Sequence, residues 1–111
     1  MSYDVTIGKR FSANYTSNVG PLFHAHIRNY ETGDTGLQVL HGVTGRTALI
    51  VLSRAFDSIN REYCRIDNID TFRSQYDAPN KWGSTDGALM FLARVMAACA
   101  ENPRCKVDVS A

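Results

Sequence analysis

Tyr3-Asp4-Val5-Thr6-Ile7-Gly8 alternates strictly, with Tyr3, Val5 and Ile7 facing one way and Asp4 and Thr6 the other. A period of two with one apolar face marks a half-buried strand. Cys105-Lys106-Val107-Asp108-Val109 repeats the pattern, with Cys105, Val107 and Val109 on the inner face. Between these ends the period changes. Arg46 to Arg61 places Leu49, Leu52, Ala55, Phe56 and Ile59 at three- and four-residue steps, an amphipathic helix for which Thr44 offers an N-cap. Ser84 or Thr85 opens a second long helix through Glu101, with Leu89, Leu92, Ala93, Met96 and Cys99 or Ala100 on its buried stripe, and Asn102-Pro103 stops it. Strands at both ends and helices between them predict an α+β fold: one mostly helical domain over residues 1–111, its N- and C-terminal strands paired in a small antiparallel sheet. A two-stranded ribbon is marginal alone, so further copies of the chain are expected to extend it in a homo-oligomer.

Shorter pieces fill the rest. Lys9 to Ala13 reads as a polar connection carrying Phe11. Leu22 to Arg28 reads as a short helix with Leu22, Phe23, Ile27 and, beyond it, Tyr30 toward the core, followed by a Gly-rich loop from Asn29 to Gly36. Leu37 to Leu40 is one helical turn closed at His41-Gly42. Glu62 to Gly83 shows no clean period and reads as a long packed loop, with Asp67 to Gln75 as a candidate helix inside it and Trp82 in a closing turn.

Composition excludes several function classes. Twelve basic against eleven acidic residues, without runs, give no broad positive field for general nucleic-acid binding. No basic stretch leads into an apolar run at Met1, and no segment has the length to span a bilayer, so a soluble cytoplasmic protein is expected. Cys64, Cys99 and Cys105 lack a C-x-x-C spacing and read as reduced structural thiols. His24 and His26 are two residues apart, about 200° around a helix, and His41 lies in another segment, so no metal site and no cofactor are expected.

The densest polar run is Asn14-Tyr15-Thr16-Ser17-Asn18-Val19-Gly20-Pro21. Ser17 or Asn18 can cap a helix whose first turn holds Pro21, leaving amide donors and a positive dipole end that suit an anion. These side chains can equally cap one another and tie a loop to the helix. In the ligand-binding version the backbone from Ser17 to Gly20 and the side chain of Arg46 hold phosphates. Asn14, Asn18 and Asn80 then meet polar edges, Tyr15 or Trp82 stacks on a base, and Thr16 belongs to the same ligand-binding set.

The chain resembles a family of short proteins of bacteria and their phages. Those members begin with a strand, then carry N-Y-T-S-N-V-x-P-M-W, a central helix, an N-G-W-G turn, a helix ending in C-x-x-N-P, and a final strand. The matching residues here are Asn14 to Val19 with Pro21, then Asn80, Trp82 and Gly83, then Leu89, Leu92, Cys99, Asn102 and Pro103. Leu22-Phe23 replaces Met-Trp, and Lys81 stands where the pattern has Gly. The resemblance implies the same order of elements and a phage setting, and it assigns no activity.

The sequence therefore predicts a protein that sequesters a small anionic, nucleotide-like ligand, an immune signal in the phage setting. The alternatives are a small hydrolase using His24 or His41 as base with Asp86 or Ser17 in support, or an interaction module presenting Tyr63, Phe72 and Tyr76. No G-x-S-x-G, H-E-x-x-H or P-loop is present.

Overall fold

Strand β1, Ser2–Ile7, buries Tyr3, Val5 and Ile7 and leaves Asp4 exposed. In the computed structural model, which describes residues 2–9, 11–16, 20–65, 69–77 and 83–110, this strand lies at the centre of the sheet. Gly8, at φ +61°, turns the chain, and β2, Phe11–Thr16, returns antiparallel in the register Ser2↔Thr16 to Ile7↔Phe11. On the other side β3, Val107–Ser110, pairs antiparallel from Ile7↔Val107 to Asp4↔Ser110. The terminal strands pair as expected. Among the described residues, however, the sheet has three strands, because the stretch read as connection and polar loop is β2. Its alternation is real, with Ala13 buried and Phe11 and Tyr15 half-buried while Ser12 and Asn14 face solvent. Ser, Ala and Asn have weak strand propensity, and pairing along the whole of β1 overrides it.

Among the described residues there are four helices, α1 (Gly20–His26), α2 (Gly45–Cys64), α3 (Ile69–Tyr76) and α4 (Thr85–Glu101), of which α4 packs on β1 and β2. A 3-10 turn, Leu37–Leu40, stands between the first two. The expected caps are present: Thr44 Oγ1 accepts from Thr47 N at 3.3 Å, and Ser84 Oγ accepts from Gly87 N at 3.0 Å. α3 lies in the stretch read as a long loop, near the position anticipated for a hidden helix.

Rings tie the sheet to the helices. Tyr3 meets Phe23 edge-on at 5.5 Å between centroids, Phe23 meets Phe91 at 6.2 Å, and Phe91 stacks on Tyr15 at 5.7 Å. α2 and α4 run antiparallel. The start of α2 abuts the end of α4, where a Cβ on Gly45 would overlap the carbonyl oxygens of Asn102 and Cys99. Three sequence readings are corrected. The buried stripe of α4 is Ala88, Phe91, Leu92, Val95, Ala98 and Cys99, while Ala93 and Ala100 are exposed. That helix is apolar over most of its circumference, so periodicity alone leaves its phase open. Tyr30, read as inward, is 64% exposed, and Phe72, read as a surface anchor, is 2% exposed.

Candidate functional site

The predicted binding residues are not gathered in one place. Ser17, Asn18, Asn80 and Trp82 lie outside the described residues. Asn14 is exposed on β2, Thr16 ends that strand half-buried, and Gly20 is buried with the Tyr3 hydroxyl against it. The Tyr15 hydroxyl accepts from Ser84 N at 3.0 Å and donates to Ser84 O at 3.2 Å, so it anchors β2 to the start of α4. Arg46 is exposed at the other end of α4, roughly 25 Å away at 1.5 Å per helical residue. The first-turn donors beside it are occupied. Gly45 N bonds Cys105 O at 2.7 Å, Arg46 N bonds Pro103 O at 3.0 Å, and Thr47 N is capped by Thr44. The clefts along α2 described below are lined by other side chains.

The histidines and cysteines separate by environment. His24 bonds Thr35 Oγ1 at 3.1 Å and lies against Gly36, where a Cβ would come within 2.6 Å of the ring. His41 Nδ1 accepts from Val109 N at 3.0 Å and fastens β3. Asp86 pairs with Arg73 at 3.0 Å. None of these three meets the others. No group of three or more His, Cys, Asp or Glu suited to a metal occurs among the described residues. Cys99 is buried in α4, and burial pushes its thiol up to about 11, which suits packing and not reactivity.

His26 is different. It is the last residue of α1, its side chain is only 5% exposed, and it faces two polar residues one turn apart on α2. Its Nδ1 lies 2.8 Å from Ser58 Oγ, and its Nε2 pairs with Glu62 Oε2. Tyr76, the last residue of α3, places its hydroxyl 2.6 and 2.7 Å from the two Glu62 oxygens and its ring edge-on to the imidazole. Burial, followed by the hydrogen bond to Glu62 and its negative charge, raises the Tyr76 phenol well above its ordinary value, so it stays a donor. A carboxylate fed by that donor accepts from Nε2–H. In the uncharged ring this leaves Nδ1 as an acceptor aimed at the Ser58 hydroxyl.

His26, Ser58, Glu62, Arg61 and Arg65 line one cleft of ≈ 420 Å³. A second of ≈ 430 Å³, sharing Arg61, is lined by Tyr30 and Arg54, and a third, sharing Tyr30 and Arg54, continues to Arg28. Together they form a trough along α2. Its backbone follows from the sequence: Arg54, Ser58, Arg61 and Arg65 recur at four- and three-residue steps, on a stripe about 120° around the helix from the buried Ala48, Leu52, Ala55 and Ile59. From Arg54 to Arg65 it runs about 16 Å. Tyr30 is held out by a closed turn, in which Asn29 Oδ1 accepts from Glu31 N at 2.9 Å and Gly33 N bonds Asn29 O at 2.8 Å. The Arg54 guanidinium sits over its ring at 5.5 Å. Among the described residues, no carboxylate forms an ion pair with Arg54, Arg61 or Arg65.

No helix among the described residues is long and apolar enough to cross a membrane. Neither the family models, nor the curated proteins, nor the solved structures compared with this chain contain a match to it.

Proposed function

We propose that this protein binds and sequesters a small anionic, nucleotide-like ligand in the trough along α2. One observation carries the reading: three guanidiniums, Arg54, Arg61 and Arg65, stand without carboxylate partners among the described residues on one helix face that ends at an exposed tyrosine ring. Guanidinium groups suit phosphate oxygens, and an aromatic face beside them suits a base. A sponge needs affinity only. Sequestration in the cytoplasm of a phage's host, by a homo-oligomer, belongs to the same reading, and the resemblance to phage proteins supports it.

The test is a thermal-shift and calorimetric screen of mononucleotides and cyclic dinucleotides. A ligand at 100 times its Kd is expected to stabilise the fold by about 2.7 kcal/mol, and heating the complex should release it chemically unchanged. Arg61→Gln and Arg65→Gln are each expected to weaken binding by roughly 10- to 100-fold, the worth of a hydrogen bond to a charged group. Binding that ignores both substitutions, or no binding across the panel, overturns the proposal.

A further inference from the structure

The polar cluster at one end of the trough has a chemistry that sequestration does not use. We infer that Ser58, His26 and Glu62 form a nucleophile, base and positioning carboxylate able to cleave carboxylic esters whose acyl or leaving group carries an anion. This rests on the trough reading only for where the anionic end of the substrate sits.

Ser58 Oγ is 2.8 Å from His26 Nδ1, inside the reach required of a nucleophile and its base. Glu62 holds the opposite ring nitrogen, and the Tyr76 hydroxyl holds Glu62 at 2.6 Å, so the ring's orientation is fixed from α2 and α3 together. Both reacting groups line the ≈ 420 Å³ cleft, so the nearly buried imidazole is reached from that side. The amides of α2 around Ser58 are used within the helix and cannot form an oxyanion site. Arg61 and Arg65, on the same face and in the same cleft, supply the positive charge instead.

In the first half-reaction, Ser58 Oγ attacks the ester carbonyl and its proton passes to His26 Nδ1. The tetrahedral intermediate then collapses, its C–O bond to the leaving alcohol breaks, and His26 returns the proton to that oxygen. Water repeats the sequence on the acyl-serine, giving its proton to His26, and Ser58 leaves with it. Ester and water become acid and alcohol, and the protein is unchanged. One imidazole suffices because the leaving group of a tetrahedral carbon stays beside the nucleophile. In-line phosphoryl transfer would put it on the far side, away from the single base. A nucleotide without a carboxylic ester is therefore held intact.

The probes are mono-4-nitrophenyl terephthalate, an anionic ester whose para carboxylate cannot reach its own carbonyl, and neutral 4-nitrophenyl benzoate. Wild type is expected to release nitrophenolate, above the protein-free rate, faster from the terephthalate than from the benzoate and to show an acyl adduct on Ser58 by mass spectrometry. Ser58→Ala should lower the rate roughly 10³-fold, while Ser58→Cys keeps the acylation burst. Glu62→Gln should lower kcat with KM unchanged, which a purely structural carboxylate would not do. Absence of release from wild type, or release undiminished in Ser58→Ala, overturns the inference while nucleotide binding stands or falls separately. Ser58-dependent cleavage without preference for the anionic ester, in a protein that no nucleotide stabilises, would retain the serine chemistry and discard the binding proposal.

Discussion

Tyr76 shows how one side chain can join three helices. It ends α3, donates to a carboxylate on α2 and packs on the imidazole that ends α1. Its phenol keeps its proton to higher pH in the fold than in the unfolded chain, because burial and the neighbouring Glu62 disfavour the phenolate. A group whose folded pKa is raised contributes stability that is complete below its unfolded value, here 10.0, and lost as pH rises beyond it. Tyr76→Phe is expected to cost about 1 kcal/mol at neutral pH, the net worth of one hydrogen bond. It should also flatten the alkaline fall in stability. Urea denaturation of both proteins at neutral pH and above pH 10 checks this, and parallel alkaline slopes would refute it.

α2 carries the core on one face and the trough on the other, so its attachment to α4 governs both. Gly45 allows that attachment: the first turn of α2 meets the last carbonyls of α4 with no room for a methyl group. Alanine is normally the better helix residue by up to about 1 kcal/mol. Gly45→Ala is nevertheless expected to destabilise by roughly 1–3 kcal/mol, because the obstructing atoms are backbone. Equal or higher stability in chemical denaturation would show the seam to be looser than described. The polar stripe of this helix was legible in the sequence, since Arg54, Ser58, Arg61 and Arg65 follow the same steps as the apolar residues. Reading only the apolar face left it unused. His26 was not legible as its partner, because Ser58 is 32 residues away and only the packing of α1 on α2 brings the two side chains together. The polar run at Asn14 drew notice for its hydrogen-bonding groups, yet the hydroxyl of Tyr15 is used in tying a strand to a helix cap.

Over the whole molecule, the layered arrangement was legible from the change of period along the chain, and the strand count was not. Both terminal strands have β-branched inner residues, whereas β2 has none there and carries Ser12, Ala13 and Asn14, whose conformation is set by the partner strand. Residues Asp4 to Ile7 are flanked on both sides, by β2 and by β3. Their amides are expected to exchange with solvent more slowly than those of β2, and exchange measured by NMR would contradict the topology if the order were reversed. The central strand is also made well before its second neighbour, β3. As the nascent chain emerges, the β1–β2 hairpin must wait with one open side until Val107–Ser110 have cleared the ribosomal exit tunnel. Completion of the sheet thus waits on β3, and in that interval the hairpin is the segment a chaperone would hold.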